Sequence, residues 1–444
     1  MSQKRCRLFD IIVLQKKSRR CYMDAFDRII GYEKQKHELK MLCDMVKNSE
    51  KYKALGVRLP RGLLLYGMPG VGKTLMATAL IEEMGRKCYT LRKDVADVQF
   101  IEKISGIFAE TKANAPSVVF LDDLDKFTSD ENSRNPKEFV AVQSAIDGVR
   151  NDDVFVIATA NDFNALSKSL IRAGRFDRTM RINVPNKIEA KEIIRHYLKD
   201  KKISSDISPE VLARILDGES CAKLESVLNE AGIYAAYEGE NEISRRHIVH
   251  AVLRSEADDG ASDCAVSDDV KLEVAFHEAG HAVAAYTFNK DSLGIISVSS
   301  PFNELFGVTQ ILQSRDYFYS FELMRQRVMA ILAGRAAVEI KFGHIDVGAS
   351  SDLERALAIV QRAVREYASS GFRFYSPDSR RCLASERKEY DVVEESDSVL
   401  AELYGEVKAL LCKNWHKVER LAAALVERGT LLYDEAEELF GIDG

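Results

Sequence analysis

Residues 62–84 read GLLLYGMPGVGKTLMATALIEEM. Five residues of strand character run into a glycine-rich turn, and a helical pattern follows without a gap. Gly67 to Thr74 fit G-x-x-x-x-G-K-[ST], and the strand–loop–helix context is the one that motif needs. The glycines let backbone N–H groups wrap phosphates at a helix N-terminus. Lys73 then reaches the β- and γ-phosphates, and Thr74 ligates magnesium. The candidate nucleotide contacts in the loop are Gly67, Pro69, Gly70, Val71, Gly72, Lys73, Thr74 and Leu75.

Outward from this loop, short apolar runs alternate with helical stretches from Arg61 to Pro185. KCYTL (87–91), SVVFLDD (117–123) and VFVIATAND (154–162) read as buried parallel strands beside GLLLY, giving an open α/β sheet. Acids at the end of SVVFL make a second phosphate-site signature. Asp122 is the candidate magnesium carboxylate, and Asp123 stands where a glutamate normally orients the attacking water. Asn161, at the end of the next strand, is placed to touch the γ-phosphate or that water. Arg175 and Arg178, in LIRAGRFDR (170–178), are expected in a short loop, where they can reach a neighbouring subunit's nucleotide. Taken alone, such arginines are more often surface ion pairs.

From Asn186 to about Ala257 helical patterns replace strands, and EADDGASD (256–263) reads as a linker. Beyond it lies EVAFHEAGHAVAAY (273–286), with the His-Glu-x-x-His spacing. On a helix His277 and His281 share one face, so both imidazoles can hold one zinc. Glu278 is turned aside, placed to serve as general base toward water at the metal. A third ligand must come from elsewhere. Thr287 excludes a histidine at the metzincin position, while Glu304, His344 and Asp346 remain options.

FDRIIGYEKQKHELK (26–40), the phosphate loop, FLDDLD, ATAND, IRAGRFDR and HEAGHAV occur in an order that resembles the FtsH-type AAA zinc metalloproteases. The resemblance runs from about Phe26 to the C-terminus. It implies an α/β AAA nucleotide-binding domain with a helical lid, followed by a mainly α-helical zinc metalloprotease domain. The implied boundaries are a basic extension over 1–24, the nucleotide domain over 25–185, the lid over 186–257 and the protease over 258–444. It adds Ile30 and Gly31 to the nucleotide contacts. It also points to Asp352, in VGASSDLERAL (347–357), as the third zinc ligand. The implied cofactors are Zn2+ and ATP with Mg2+. The implied partners are polypeptide substrates and further copies of the chain, as a homo-hexamer.

Departures from the family pattern shape the expectation. The apolar run Leu8 to Leu14 is interrupted by Asp10, whereas a membrane span takes roughly 20 apolar residues. Membrane contact is expected to be peripheral at most. TLRKDVADVQFIEKISGIF (90–108) lacks the aromatic-Val-Gly tripeptide that grips polypeptide in the ring's channel, leaving Phe100 as the aromatic in its middle. FGVTQIL (306–312) reads as a strand able to pair with an extended substrate.

The chain has 444 residues, 46% hydrophobic and 30% charged, with a formal net charge of -6, which speaks against nucleic-acid binding. Its eight cysteines form no C-x-x-C pair, as expected of a reducing cytoplasm. The expected activity is ATP-dependent zinc endopeptidase. The alternative is a nucleotide-gated, chaperone-like assembly with residual or narrowly used peptidase activity.

Overall fold

In the computed structural model the described residues are 24–94, 97–126, 136–167, 169–171, 174–256, 267–299, 305–312, 320–345, 350–367 and 386–441. They divide into two compact units, 1–183 and 184–444.

The runs GLLLY, SVVFL and VFVIATA form the inner strands of a parallel sheet and are buried on both faces, whereas KCYTL, expected to be buried, is an edge strand in which only Leu91 is buried. After a short turn at Ala25–Arg28 come helices α1 (Glu33–Lys47) and α2 (Ser49–Ala54). The sheet and its crossovers follow as β1 (Gly62–Tyr66), α3 (Lys73–Met84), β2 (Lys87–Leu91), α4 (Asp97–Ala113), β3 (Ser117–Leu121), α5 (Pro136–Gly148), β4 (Val154–Ala160) and β5 (Arg178–Arg181). The strand order is β2-β3-β4-β1-β5. Strands β3 and β4 are buried at every residue, and the carboxyl ends of β1, β3 and β4 carry the phosphate loop, the paired acids and Asn161.

One expectation is corrected here, and one open position is settled. Arg178 is not a loop residue: its backbone pairs with Leu63 of β1 and opens β5, whereas Arg175 lies in the preceding bend. Phe100 is not available to grip a substrate. It sits on the inner face of α4 with 0% exposure, packed with Leu64, Leu91 and Leu121.

The second unit opens with α6 (Lys187–Leu198), α7 (Pro209–Ile215), α8 (Cys221–Tyr237) and α9 (Arg245–Glu256). Local chemistry sets their starts. Asn186 closes a capping box with Glu189, and Ser208 and Ser220 cap the next two helices. Then follow α10 (Asp268–Phe288), β6 (Leu293–Ser299), β7 (Leu305–Ile311), α11 (Phe321–Phe342), α12 (Ser350–Tyr367), α13 (Glu386–Lys413), α14 (Trp415–Arg428), β8 (Thr430–Leu432) and α15 (Tyr433–Gly441). The C-terminal region is therefore not helical throughout. Thr430–Leu432 pairs antiparallel with β6, giving the order β7-β6-β8.

Helices α10 and α11 form the centre of this unit. Gly280 of α10 lies against Ala333 and Ala337 of α11, in a core that also holds Ala275, Ala279, Ala282 and Ala336, small residues that let the two backbones approach closely. Arg214, near the end of α7, stacks 3.6 Å over the Tyr433 ring and donates to Glu437 Oε1 and the Leu293 carbonyl. Arg245, at the start of α9, is bonded to Asp434.

Candidate functional site

The nucleotide-site residues converge at the carboxyl edge of the first sheet. Gly72 caps α3 in the left-handed region at φ 94°, a conformation a Cβ would penalise. Lys73 is buried at the helix start. Its Nζ donates to the Gly67 and Met68 carbonyls and to Asn161 Oδ1, each at 2.8 Å. Burial pulls the Lys73 ammonium below the usual lysine range, against the opposing field of Asp123, Asp125 and Asp122.

Asp122, also buried, accepts from Thr74 Oγ1 (3.2 Å) and Thr159 Oγ1 (2.8 Å). Arg92, just past β2, donates to its second oxygen at 2.6 Å. Asp123 has φ 57°, a left-handed backbone for a residue other than glycine, and its Oδ2 is bound by Lys126 Nζ at 2.6 Å. Asn161 Nδ2 stands 3.5 Å from Asp123 Oδ1. Pro69, Gly70, Val71 and Leu75 lie in the loop and first turn around Lys73. Ile30 and Gly31 lie between the Ala25–Arg28 turn and α1, and Arg28 ties that turn to Glu82 of α3 at 2.6 Å.

Arg175 is held within its own subunit. Its guanidinium makes a forked pair with Asp147, at 2.9 and 2.7 Å, and donates to the Ser169 carbonyl at 2.5 Å. This pair holds the Asp147 carboxyl below its ordinary range. Arg178 is exposed on β5, the edge of the sheet.

The second constellation lies between α10, α11 and α12. His277 and His281, one turn apart, bring their Nε2 atoms to 3.0 Å. Asp352, in the first turn of α12, places Oδ2 at 3.3 Å from His277 Nε2 and 3.0 Å from His281 Nε2. Zinc bonds of about 2.0–2.1 Å in tetrahedral geometry separate neighbouring ligand atoms by about 3.3 Å, so these donors fit one such ion. His281 Nδ1 donates to the Ala330 carbonyl at 2.8 Å, which puts its proton there and leaves the Nε2 lone pair for a metal. Gly334 of α11 makes room, since a Cβ there would stand 2.4 Å from His281 Nε2 and 2.6 Å from His277 Nε2.

Glu278 carries its carboxylate against β7, beside this cluster, and is 5% exposed. Burial pushes its carboxyl up, against the pull of His281, His277 and a hydrogen bond from Thr309 Oγ1 at 2.6 Å. Burial also acts to raise the Asp352 carboxyl, but the adjacent His277 and His281 imidazoles, when protonated on Nε2, outweigh it and hold the group well below its ordinary range.

Of the alternative third ligands, His344 is exposed and pairs with Glu273 at 3.5 Å. Glu304 and Asp346 lie outside the described residues. Among the described residues one other group has metal-binding spacing, Glu238, Glu240 and His247. There Arg246 already bonds both carboxylates, and His247 Nδ1 accepts from the Ser244 N–H, so its Nε2 holds the proton.

Sequence reasoning missed Arg92, Thr159, Thr309, Gly334 and the Ala330 carbonyl. A glycine in the middle of an otherwise apolar helix was the one available signal, for Gly334.

A phosphate loop, paired acids and an asparagine on a parallel sheet, with a two-histidine, one-aspartate centre in the same chain, define an AAA ATPase joined to a metallopeptidase. Residues 63–184 match the ATPase family associated with various cellular activities (AAA), and residues 264–439 match peptidase family M41. The chain is 31% identical to ATP-dependent zinc metalloprotease FtsH 2 of Thermoanaerobacter sp. (strain X514), over 94% of this chain and 82% of that relative. It is 31% identical to FtsH 1 of Thermomicrobium roseum over 94% of this chain and 68% of the relative. For YME1L1 of Rattus norvegicus the identity is also 31%, over 92% of this chain and 59% of that protein. The chain belongs to the FtsH family of ATP-dependent zinc metalloproteases.

Proposed function

We propose that His277, His281 and Asp352 hold the zinc of an ATP-dependent endopeptidase and that Glu278 is its general base. The observation that carries this is the convergence of three ligand atoms within 3.0–3.3 Å, with the Glu278 carboxylate buried beside them and turned to the neighbouring strand. Bound zinc supplies a Lewis acid that polarises a carbonyl and acidifies water.

The chain's own groups do the rest. The Ala330 carbonyl keeps the His281 ring in the ligating tautomer, and Glu278 takes a proton from water and passes it to the leaving amine. Among the described residues β7 pairs on one side only, with β6. Its other side is proposed to bind the extended main chain of a polypeptide, which reads backbone rather than sequence.

At the other site Lys73, Thr74 and Asp122 hold Mg-ATP, with the loop from Gly67 to Leu75 around the phosphates and Ile30 and Gly31 at the base. Asp123 and Asn161 flank the attacking water. The assembly proposed is a homo-hexameric ring, in which exposed Arg178, and Arg175 once released from Asp147, reach the next subunit's nucleotide. None of the described helices is long and apolar enough to cross a membrane. A cytoplasmic location is proposed with that support.

The test is zinc content and cleavage of an unstructured peptide. Glu278→Gln is expected to keep one zinc per chain and lose cleavage, because the residue is a base and not a ligand. Asp352→Ala is expected to lose both. Full cleavage by Glu278→Gln refutes the base, and stoichiometric zinc in Asp352→Ala refutes the third ligand.

A further inference from the structure

Strand β7 runs past Glu278 with two unlike contacts on successive residues. Side chains alternate faces along a strand, so Thr309 and Gln310 point in opposite directions. Thr309 Oγ1 lies 2.6 Å from Glu278 Oε2 and 3.1 Å from the Glu278 carbonyl. One hydroxyl proton serves one acceptor at a time, and a hydrogen bond to a charged carboxylate is the stronger of the two. Two residues earlier Gly307 leaves space for the other oxygen, since a Cβ there would stand 2.3 Å from Glu278 Oε1. Gln310, on the opposite face, donates from Nε2 to the Ile215 carbonyl at 2.8 Å. Ile215 ends α7, and the last carbonyls of a helix have no partner within it.

We propose that Thr309 is the positioning residue for the general base, and that Gln310 fixes the strand carrying it to the last turn of α7. The inference rests on the reading of Glu278 as base. A fully buried carboxylate with freedom about its terminal torsion has no defined direction, because that torsion is broad. The Thr309 hydrogen bond pins Oε2 and leaves Oε1, above Gly307, as the oxygen that meets water. The strand keeps this register because Gln310 reaches across to a carbonyl that needs a donor. A displacement of α7 pulls on Gln310 and moves Thr309 with it. The position of α7 is thereby read out as the orientation of Glu278.

The experiment uses the full chain and a short unstructured peptide, which needs no unfolding, with kcat, KM and zinc per chain measured together. Thr309→Val keeps shape and removes the donor, while Thr309→Ser keeps the donor. Thr309→Val is expected to lower kcat about 10–100-fold, the scale of a misplaced catalytic group, with KM within about twofold and zinc at one per chain. Thr309→Ser is expected to recover most of kcat. Gln310→Met, which keeps the length and removes the donor, is expected to lower kcat several-fold with zinc retained.

Unchanged kcat in Thr309→Val, loss of zinc in step with activity, or failure of Thr309→Ser to recover overturns the positioning role. Unchanged kcat in Gln310→Met overturns the link to α7. Glu278→Gln, measured alongside, separates this proposal from its basis. If that variant cleaves normally, the base reading itself has failed. If it is inactive while Thr309→Val is normal, only the positioning role has failed.

Discussion

Gly334→Ala adds one methyl group in a helix, and it is expected to abolish zinc binding while leaving the fold intact. The new Cβ would stand 2.4 Å from His281 Nε2, 2.6 Å from His277 Nε2 and 2.7 Å from His277 Cδ2. Comfortable non-bonded contacts are about 3.5 Å or more, so both rings would have to retreat by about 1 Å. Metal–ligand distances tolerate about 0.2 Å. His281 cannot simply swing away, because its Nδ1 is bonded to the Ala330 carbonyl one turn earlier on the same helix as the new methyl. Parting the helices would cost packing contacts, because α10 and α11 lie so close that a Cβ on Gly280 would stand 2.4 Å from the Ala333 carbonyl. Overpacking costs about 1–3 kcal/mol, partly offset by the roughly 1 kcal/mol by which alanine is preferred to glycine in a helix. The larger effect falls on the metal. Losing a supporting partner alone costs about 10–100-fold in affinity, and displacing two ligands should exceed that. The assay is competition with a chelating dye, together with thermal unfolding with and without zinc, since a ligand that binds only the folded state raises its stability. Gly405→Ala in α13, where an added Cβ meets nothing within 4 Å, is the control. It is expected to gain about 1 kcal/mol without touching zinc. Wild-type zinc affinity in Gly334→Ala would show that the two rings do not depend on the space at Gly334.

Asp123→Glu is expected to raise ATP turnover by about 10-fold or more, because the shorter acid leaves its carboxylate on the order of 1 Å from where water is best oriented. The wild type hydrolysing ATP at a few per second, or the variant being no faster, would refute this. Arg92→Ala is expected to lower the Mg2+ concentration that half-saturates ATP binding, because Arg92 holds one oxygen of Asp122 at 2.6 Å. A fluorescent nucleotide titrated against Mg2+ decides it, and an unchanged midpoint would sink it. Glu339 is held below its ordinary range by hydrogen bonds from Lys408 and Tyr404. A depressed folded pKa means its contribution is complete above the unfolded value of about 4.3 and is lost as pH falls further. Glu339→Gln should therefore flatten the decline of the urea midpoint below about pH 4, and an identical decline in both proteins would count against the pairing.

Much of this was legible in the chain itself, and the reason is local. A phosphate loop is contiguous because consecutive N–H groups must wrap one phosphate, so Gly67 to Thr74 appear as a word. His277 and His281 appear likewise, because four residues make one helical turn and bring both rings to one face. The inner parallel strands announced themselves as apolar runs, whereas the edge strand Arg178–Arg181, with only Met180 buried, did not. Thr430–Leu432 did not, because three residues are too few to show a period and the strand exists only by pairing with β6.

Contacts between distant residues were decided by tertiary structure. Asp352 could be named from the family resemblance, but its approach to 3.0 Å of His281 depends on how α12 meets α10. Phe100 carried no mark that distinguishes an aromatic in a channel from one in a core, and packing of α4 on the sheet settled it. Arg175 was equally ambiguous until Asp147 was found opposite it. Arg92 beside Asp122, Thr309 beside Glu278 and the slot that Gly334 leaves for two imidazoles are pairings across elements far apart in the chain. Sequence determines which groups are present and which of them share a turn or a strand face, since covalent geometry sets those neighbours. Which turn meets which strand is set by the packing of whole elements, and there the partners of each catalytic group were chosen.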